Sequence, residues 1–538
     1  MLGNVLASWL TSLRERGEFE ICFRSLLRAQ GYVSVGIRTT HGPIEYGKDV
    51  AAWHPRKRSL YLFQLKAGDV ARADWPQIAT QLYELAAVPY NHPNYVLSAP
   101  RKPVLVCTGQ VNDTVQEAIA RQNQDPAVGR TVEIWDREIL VAAFRDHLFS
   151  IHALSDAVAI DHIRMWSHIS NYGKDEEDLW AFFNRYLSLV RDARGRELRR
   201  VLAGYVVAVA QLSQRYRSEN DTYSAIDCTI LGAVVLYEAV LRHRIRRSTA
   251  RFHCDALRAL LAECLQGLYE ECVSDPAALC DLTDNHGGPE EIFMLPVRAH
   301  SLASKLALHA FLRECGGDAV RDEVSLVDTV VRHHPSFAHV VSERQAGTLV
   351  VTLLALLRYG FRDTAIDALV EAVKWVAGMY GQRGAPGLPD PYQPLANTPF
   401  HFLGLPLGTA REVASAHGDA SYLLPVLVKF ACLLGRRGVL ERTWPRVSRT
   451  AAEEYVPEDE IEMYSRSSAR GEFRTTVYPE RQSWRRLRQR CCRPLSSRYL
   501  SLARAYPEAP LLLSLAYPWR ASLCEPSLYL RGHTFGVP

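Results

Sequence analysis

The sequence predicts an α/β N-terminal domain, with a mixed sheet flanked by helices, followed by a large all-α region. Over about the first 150 residues, β-rich and helical segments alternate. Beyond residue 150, apolar residues recur almost continuously at helical spacing. A chain of 538 residues with 48% apolar content can bury ample core, so we expect two or three domains.

The N-terminal domain is expected to begin with a helix and three strands. The helix is predicted over Gly17–Arg28, and a β-rich segment follows at Gly31–Ile37. A second strand is predicted at Asp49–Trp53 and a third at Ser59–Leu65, which places the charged segment His54–Arg58 in the turn between them. The second and third strands should therefore form a β-hairpin.

Three polar side chains should meet at one end of this hairpin. Gln64 and Lys66 are two residues apart on one strand and point to the same face, and Asp49 begins the neighbouring strand. A hard cation takes oxygen ligands, which the Asp49 carboxylate, the Gln64 amide and the Leu65 backbone carbonyl can supply. Lys66 can orient a water molecule and offset charge on a phosphate. The pattern favours phosphodiester cleavage with Mg²⁺ or Mn²⁺.

A second acidic ligand is expected, because one carboxylate is few for Mg²⁺. Glu20, in the first helix, is the preferred candidate, so the expected metal ligands are Glu20, Asp49 and Gln64. Glu18 and Glu45 are alternatives to Glu20. Glu18 lies nearer the helix start, where a carboxylate favours the helix dipole. Taken singly, Asp49 would be typical of a turn, and Gln64 and Lys66 of a solvated strand face.

These residues resemble the PD-(D/E)xK nuclease superfamily and, within it, the Mrr-like restriction endonucleases. Phe19-Glu20, Gly47-Lys-Asp49 and Gln64-Leu-Lys66 match the family motifs in order and spacing. Lys48 stands where the superfamily name has Pro, and Gln64 replaces the more common acid, which removes a charge. The resemblance covers about residues 1–150 and implies further helices and strands, at Trp75–Ala87, Pro103–Gly109, Asp113–Asn123, Val132–Asp136 and Arg137–His147.

The resemblance implies a metal-dependent deoxyribonuclease with a role in prokaryotic defence against phage or foreign DNA. The competing interpretation is a nuclease-fold domain that has lost catalysis and holds DNA or a partner, with the helical part as scaffold. A metal requirement would distinguish the two. The sequence holds no Gly-x-x-x-x-Gly-Lys-Ser/Thr phosphate loop, so we do not expect a nucleotide-driven motor on this chain.

The charge of the chain does not identify a partner. The net charge is +4, and residues 1–150 hold 17 Lys and Arg against 15 Asp and Glu. Contacts to DNA must therefore come from local clusters. The candidates are the hairpin tip, the start of a later strand and a C-terminal basic run, with residues Arg56, Lys57, Arg58, Arg101, Lys102, Arg485, Arg486 and Arg488. The C-terminal arginines could instead form ion pairs with the acidic residues that precede them.

Residues 151–380 and 381–538 are expected to form two helical regions after the N-terminal domain. A segment rich in proline and glycine, Gly381–Pro399, marks the boundary between them. We expect at most minor strands, near Phe473–Tyr478, and stacked helical pairs are one possible arrangement. Such regions could dock a sensor or partner protein or support a homo-oligomer.

The sequence also predicts a cytoplasmic protein. The twelve cysteines are scattered without a Cys-x-x-Cys pair to hold zinc. The N-terminus has no basic segment before its apolar residues, unlike a signal peptide. The longest apolar runs, at Ile230–Tyr237 and Leu349–Leu357, are too short to span a bilayer.

Overall fold

The computed structural model divides into two compact units. The first consists of Met1–Asp221 with Arg246–Ala259, and the second of Thr222–Ile245 with Leu260–Pro538. The structure describes residues 2–35, 49–87, 100–124, 131–147, 165, 169, 176–276, 282, 289–381, 387–391, 398, 402, 420–466, 472–492, 496 and 499–530.

A mixed sheet of five strands lies within the described part of the first unit. Its strands follow the chain in order, β1 to β5. The first three pair antiparallel, and β3, β4 and β5 pair parallel. The bounds are β1 Val33–Val35, β2 Val50–His54, β3 Ser59–Lys66, β4 Arg101–Cys107 and β5 Glu133–Trp135. The mixed sheet predicted from the sequence is confirmed.

Side chains along β3 alternate between the two faces of the sheet, and helices cover both faces. Phe63 faces the preceding helix, where its ring contacts that of Phe23 with centroids 5.0 Å apart. Leu62 points the other way, into an apolar core that includes Leu82 and Val115. The flanking helices are α2 Glu20–Ala29, α3 Trp75–Ala87, α4 Asp113–Gln124 and α5 Arg137–Asp146, close to their predicted bounds.

Three more helices belong to the first unit, α1 Leu2–Ser12, α6 Glu176–Ser188 and α7 Gly195–Ser218. Arg196 ties α7 to the end of α1, since its Nε donates to the Ser12 carbonyl at 2.9 Å. The guanidinium also donates to the Leu13 carbonyl at 2.5 Å. The first compact unit therefore continues beyond residue 150. The predicted divisions at residues 150 and 380 remain predictions of domain organisation.

The second unit is mainly helical, as the sequence predicts. A long helix, α9 Arg247–Ser274, runs from the residues of the first unit into those of the second. The other helices are α8 Thr222–Arg242, α10 Pro289–Cys315, α11 Arg321–His333, α12 Ala346–Arg358, α13 Arg362–Gly381, α14 Leu423–Leu433, α15 Arg437–Val447, α16 Glu460–Tyr464, α17 Trp484–Cys491, α18 Ser501–Ala505 and α19 Ala509–Ala516.

A small three-stranded sheet corrects the expectation of an all-α region. β6 Ala420–Ser421 pairs parallel with β7 Ala451–Val456, which pairs antiparallel with β8 Glu472–Val477. β8 is the minor strand expected near Phe473–Tyr478. The sequence does not predict β7 because its adjacent Glu453 and Glu454 interrupt the alternation of apolar and polar residues.

Helix α8 corrects the expectation that no apolar segment is long enough to cross a bilayer. Among the described residues it alone passes that test of length and composition. Within the protein, 78% of its most apolar window is buried. Such burial is typical of a core helix, which meets the same criterion.

Candidate functional site

The candidate site lies where β2 begins and β3 ends. Val50 pairs with Phe63, so the next residue outward, Asp49, lies beside Gln64. The Asp49 backbone N–H donates to the Phe63 carbonyl at 3.0 Å, which continues the ladder by one residue. Lys66 follows two residues after Gln64, on the same face of β3. The hairpin register thus brings Asp49 to the end of the sheet that carries Gln64 and Lys66.

Asp49 is held by two hydrogen bonds that converge on one of its oxygens. The Gln64 Nε2 donates to Asp49 Oδ2 at 2.8 Å, and the Leu65 backbone N–H donates to the same atom at 2.7 Å. Gln64 is only 3% exposed, and its Oε1 has no hydrogen-bond partner among the described residues. A buried amide oxygen without a partner is costly unless a ligand satisfies it.

The surroundings of Asp49 disfavour its charge. Burial raises the pKa of its carboxyl from the usual 3.8 to about 6. The hydrogen bond from Leu65 opposes this rise and Glu15 adds to it, while the smaller influences of Lys66 and Glu20 lower and raise the pKa respectively. Two further carboxylates and one ammonium therefore lie within electrostatic reach of Asp49. Perturbed acids of this kind are concentrated in functional sites.

Glu15 is a candidate residue that the sequence does not reveal. It begins a π-helical turn, Glu15–Phe19, which precedes α2. Its Oε2 accepts a 3.4 Å hydrogen bond from the backbone N–H of Ala67, the residue after Lys66. The helix predicted from Gly17 leaves Glu15 outside, and a π-helical turn cannot be anticipated from helical spacing. Glu15 nevertheless contacts the residue that follows β3.

The predicted second acids have different surroundings. Glu20 forms a 2.7 Å ion pair with Arg24, one turn along α2, and lies close enough to raise the pKa of Asp49. Glu18 accepts a 2.8 Å hydrogen bond from the Arg14 backbone and pairs with Arg200 of α7. Burial opposes these contacts, but they keep the pKa of Glu18 below its usual value. Glu18 thus joins two helices, and Glu45 lies outside the described residues.

The loops that follow β3 and β4 run side by side and fix the end of the sheet. The Gly68 N–H donates to Thr108 Oγ1 at 2.7 Å, and the Gln110 N–H donates to Asp69 Oδ1 at 2.8 Å. Gly109 lies so close that a Cβ there would be 2.3 Å from Asp69 Oδ1 and 2.4 Å from its backbone nitrogen. The backbone that positions Lys66 and Ala67 is therefore closely packed against its neighbour.

The donor set suits a hard cation that keeps part of its water shell. Asp49 and Glu15 supply carboxylates, and Gln64 supplies the amide oxygen without a partner. In the part of the chain that the structure describes, no three His, Cys, Asp or Glu side chains form a metal-binding group. A cation here would depend on the amide oxygen, backbone carbonyls and water to complete its coordination.

The basic residues of the first unit that were predicted to contact DNA lie away from these acids. The turn after β2 holds Arg56, Lys57 and Arg58, whereas Asp49 directly precedes β2. The length of the strand separates them by about 17 Å. Arg101 and Lys102 begin β4 and pair with Leu60 and Tyr61, at that same far end. All five lie too far away for direct contact with a phosphate held at Asp49.

The C-terminal basic run forms α17 in the second unit. Ser483 caps this helix, since its Oγ accepts from the Arg486 backbone N–H at 3.3 Å. Leu487 is buried, while Arg485, Arg486 and Arg488 lie on the remaining surface of the helix. A role for these arginines in nucleic-acid binding remains a prediction.

Comparisons of the chain with protein-family models, with curated proteins and with solved structures give no match.

Proposed function

We propose that the protein is a metal-dependent endonuclease of the PD-(D/E)xK type, with an Mrr-like domain over about residues 1–150. The main support is the partly buried Asp49, joined to Gln64 and the Leu65 backbone at the end of a mixed sheet. The sequence resemblance suggests DNA as the substrate, a cytoplasmic location and a role in prokaryotic antiviral defence. The helical part would then dock a sensor protein or support a homo-oligomer.

In this proposal each residue of the site has a separate role. Asp49 and Gln64 would hold Mg²⁺ or Mn²⁺, with Glu15 or Glu20 as the second acid. The bound cation would lower the pKa of a water molecule and offset charge on the phosphate. Lys66 would orient that water and donate to a phosphate oxygen. Water attack would form one phosphorus–oxygen bond, and the bond to the leaving strand would break.

The activity can be tested with plasmid DNA in Mg²⁺ or Mn²⁺. We expect cleavage by the wild type and a loss of about 100-fold or more in Asp49→Ala and Lys66→Ala, with folding retained. Asp146→Ala, at an exposed surface residue of the same unit, is the control and should cleave normally. Cleavage that persists in EDTA, or that is unchanged in Asp49→Ala, would refute the mechanism.

The identity of the second acid can be tested with a matched pair of variants. Glu15 contacts the end of β3, whereas Glu20 is already paired with Arg24, so Glu15→Gln should reduce cleavage more than Glu20→Gln. We expect a loss of about tenfold or more for Glu15→Gln. Loss of cleavage in Glu20→Gln, with normal cleavage in Glu15→Gln, would assign the role to Glu20.

A second candidate function is a nuclease-fold domain that binds a partner without catalysis. It is favoured by the neutral Gln64 in place of an acid, and by the lack of a metal-binding group of three such side chains among the described residues. Gln64→Glu separates the two functions. A working site should keep its activity with the acid restored, whereas a scaffold should lack nuclease activity with either residue.

A further inference from the structure

A cleft of about 680 Å³ is lined by the turn between β2 and β3, at the far end of β2 from Asp49, and by Trp135 of β5. Its volume is within the range of about 300–1,000 Å³ that is typical of small-molecule sites. We call it the hairpin cleft, because the turn between β2 and β3 forms one wall. Its lining includes Gln30, Tyr32, His54, Arg56, Lys57 and Trp135.

The aromatic wall of the hairpin cleft is held in place by other rings. Tyr32 packs edge-on against His54 and Tyr61, with centroids 4.6 and 5.1 Å away. Trp135 packs against Phe63 at 5.4 Å. Tyr32 is buried, whereas Trp135 is partly exposed and can receive a planar ligand at little cost in conformational entropy.

The turn between β2 and β3 gives the cleft positive charge. Arg56 and Lys57 are exposed in the turn, and the ammonium groups of Lys57 and Lys102 lie 5.7 and 5.5 Å from the ring centroid of Tyr61. Lys102 also lies 3.7 Å from a carboxylate oxygen of Glu133. The turn adds Arg58 to these cations, so an anion bound between Arg56 and Lys57 would relieve their mutual repulsion.

The positive electrostatic potential of the cleft also affects His54. Burial lowers the pKa of its imidazole, and the charges of Lys57 and Arg56 lower it further. Its Nδ1 accepts a 3.3 Å hydrogen bond from the Lys57 backbone, a contact that the neutral ring can make. The cleft thus combines a neutral hydrogen-bond donor with cations.

The C-terminal end of α2 also lines the cleft, where Gly31 adopts a φ of +83° and closes the helix.

We propose that the hairpin cleft binds a nucleoside phosphate, with the base against Trp135 and the phosphate on Arg56 and Lys57. Base stacking on aromatic rings, beside cations that hold phosphate, is the usual mode for such ligands. The ligand would be a free nucleotide or the terminal nucleotide of a nucleic-acid strand. This site is separate from the proposed nuclease site and does not require cleavage.

The test is calorimetry on the full chain in EDTA, which removes any metal from the Asp49 site. The probes are the four common ribonucleoside triphosphates and hexathymidylate with a 5′-phosphate or a 5′-hydroxyl. We expect at least one probe to bind with a Kd below about 1 mM. Triphosphate binding alone would identify a free nucleotide, and a requirement for the 5′-phosphate on hexathymidylate would identify a strand end.

Matched charge reversals then place the binding. Arg56→Glu with Lys57→Glu should weaken it by about tenfold or more, because both phosphate contacts are reversed. Arg121→Glu with Arg145→Glu makes the same change in net charge at two exposed arginines outside the cleft and should leave binding unchanged. Absence of binding by every probe, or equal weakening by both double variants, would overturn the proposal.

Discussion

At the residue scale, Asp49 meets two opposing demands. Two hydrogen bonds on Oδ2 fix its position, which a metal ligand requires. The same location is partly buried and near Glu15, which makes its negative charge unfavourable. A turn residue would face water and avoid this cost. The functional and the ordinary interpretations of Asp49 therefore predict different changes in the free energy of unfolding when its charge is removed.

We predict that Asp49→Asn raises the free energy of unfolding at pH 8 in EDTA. An asparagine carbonyl can accept both hydrogen bonds without the charge. The Asp49 pKa is about 6 in the folded protein and 3.8 normally, so its neutral form favours folding at low pH and that contribution is lost as the pH rises through 6. The expected gain is about 1–3 kcal/mol at pH 8 and close to zero at pH 3.

Urea unfolding at the two pH values measures this gain. Asp146→Asn is the control, because Asp146 is 62% exposed and should tolerate the change. A loss of stability in Asp49→Asn at pH 8 would contradict the electrostatic account.

At the element scale, the contact between the loops after β3 and β4 should be intolerant of any side chain at Gly109. We predict that Gly109→Ala lowers the free energy of unfolding by about 2 kcal/mol or more, because the new Cβ would overlap the Asp69 backbone. Gly267→Ala is the matched control. Nothing lies within 4 Å of its added Cβ in helix α9, so we expect a gain of about 0.5–1 kcal/mol.

Thermal unfolding of both glycine variants gives the comparison. Equal stability of Gly109→Ala and the wild type would contradict the close contact between Gly109 and the Asp69 backbone.

Glu343 should make the second unit sensitive to pH. Its buried carboxylate accepts hydrogen bonds from Tyr380 of α13 at 2.6 Å, from Ser421 of β6 at 2.7 Å and from the Leu423 N–H of α14 at 2.7 Å. Burial nevertheless raises its pKa from 4.5 to about 7. The neutral form favours folding, so stability should fall by roughly 3 kcal/mol as the pH rises from 4.5 to above 7.

Urea unfolding across this pH range should show a shallower dependence for Glu343→Gln, which cannot ionise. Glu371→Gln, at a half-exposed residue of the same unit, should keep the wild-type dependence. An unchanged pH dependence in Glu343→Gln would show that Glu343 is ionised throughout.

The elements of the first unit could largely be predicted because their patterns are strong. Helix α3 has the predicted bounds, Trp75–Ala87, and β3 extends its prediction by one residue, to Lys66. The π-helical turn at Glu15 could not be predicted, since it depends on tertiary packing rather than on spacing. The far position of Arg56 and Lys57 followed from the predicted hairpin, but their shared cleft with Trp135 depends on the placement of β5.

At the scale of the whole molecule, the first compact unit extends beyond the point where the sequence pattern changes. Helices α6 and α7 belong to the first unit, although they follow the change from alternating to helical patterns. The contact of Arg196 with the end of α1 joins residues 184 positions apart, which no local pattern can report. Periodicity identifies helices, but their partners depend on contacts between distant residues.

Manganese binding tests the central claim most directly, because it requires neither a DNA substrate nor an activating partner. We predict that the wild type binds one Mn²⁺ at the Asp49 site, that Asp49→Ala loses this binding, and that Gln64→Glu binds about tenfold more tightly because a carboxylate replaces an amide oxygen. Calorimetric titration of the three proteins gives the result. Absence of Mn²⁺ binding by the wild type, or equal binding by Asp49→Ala, would contradict the proposed site.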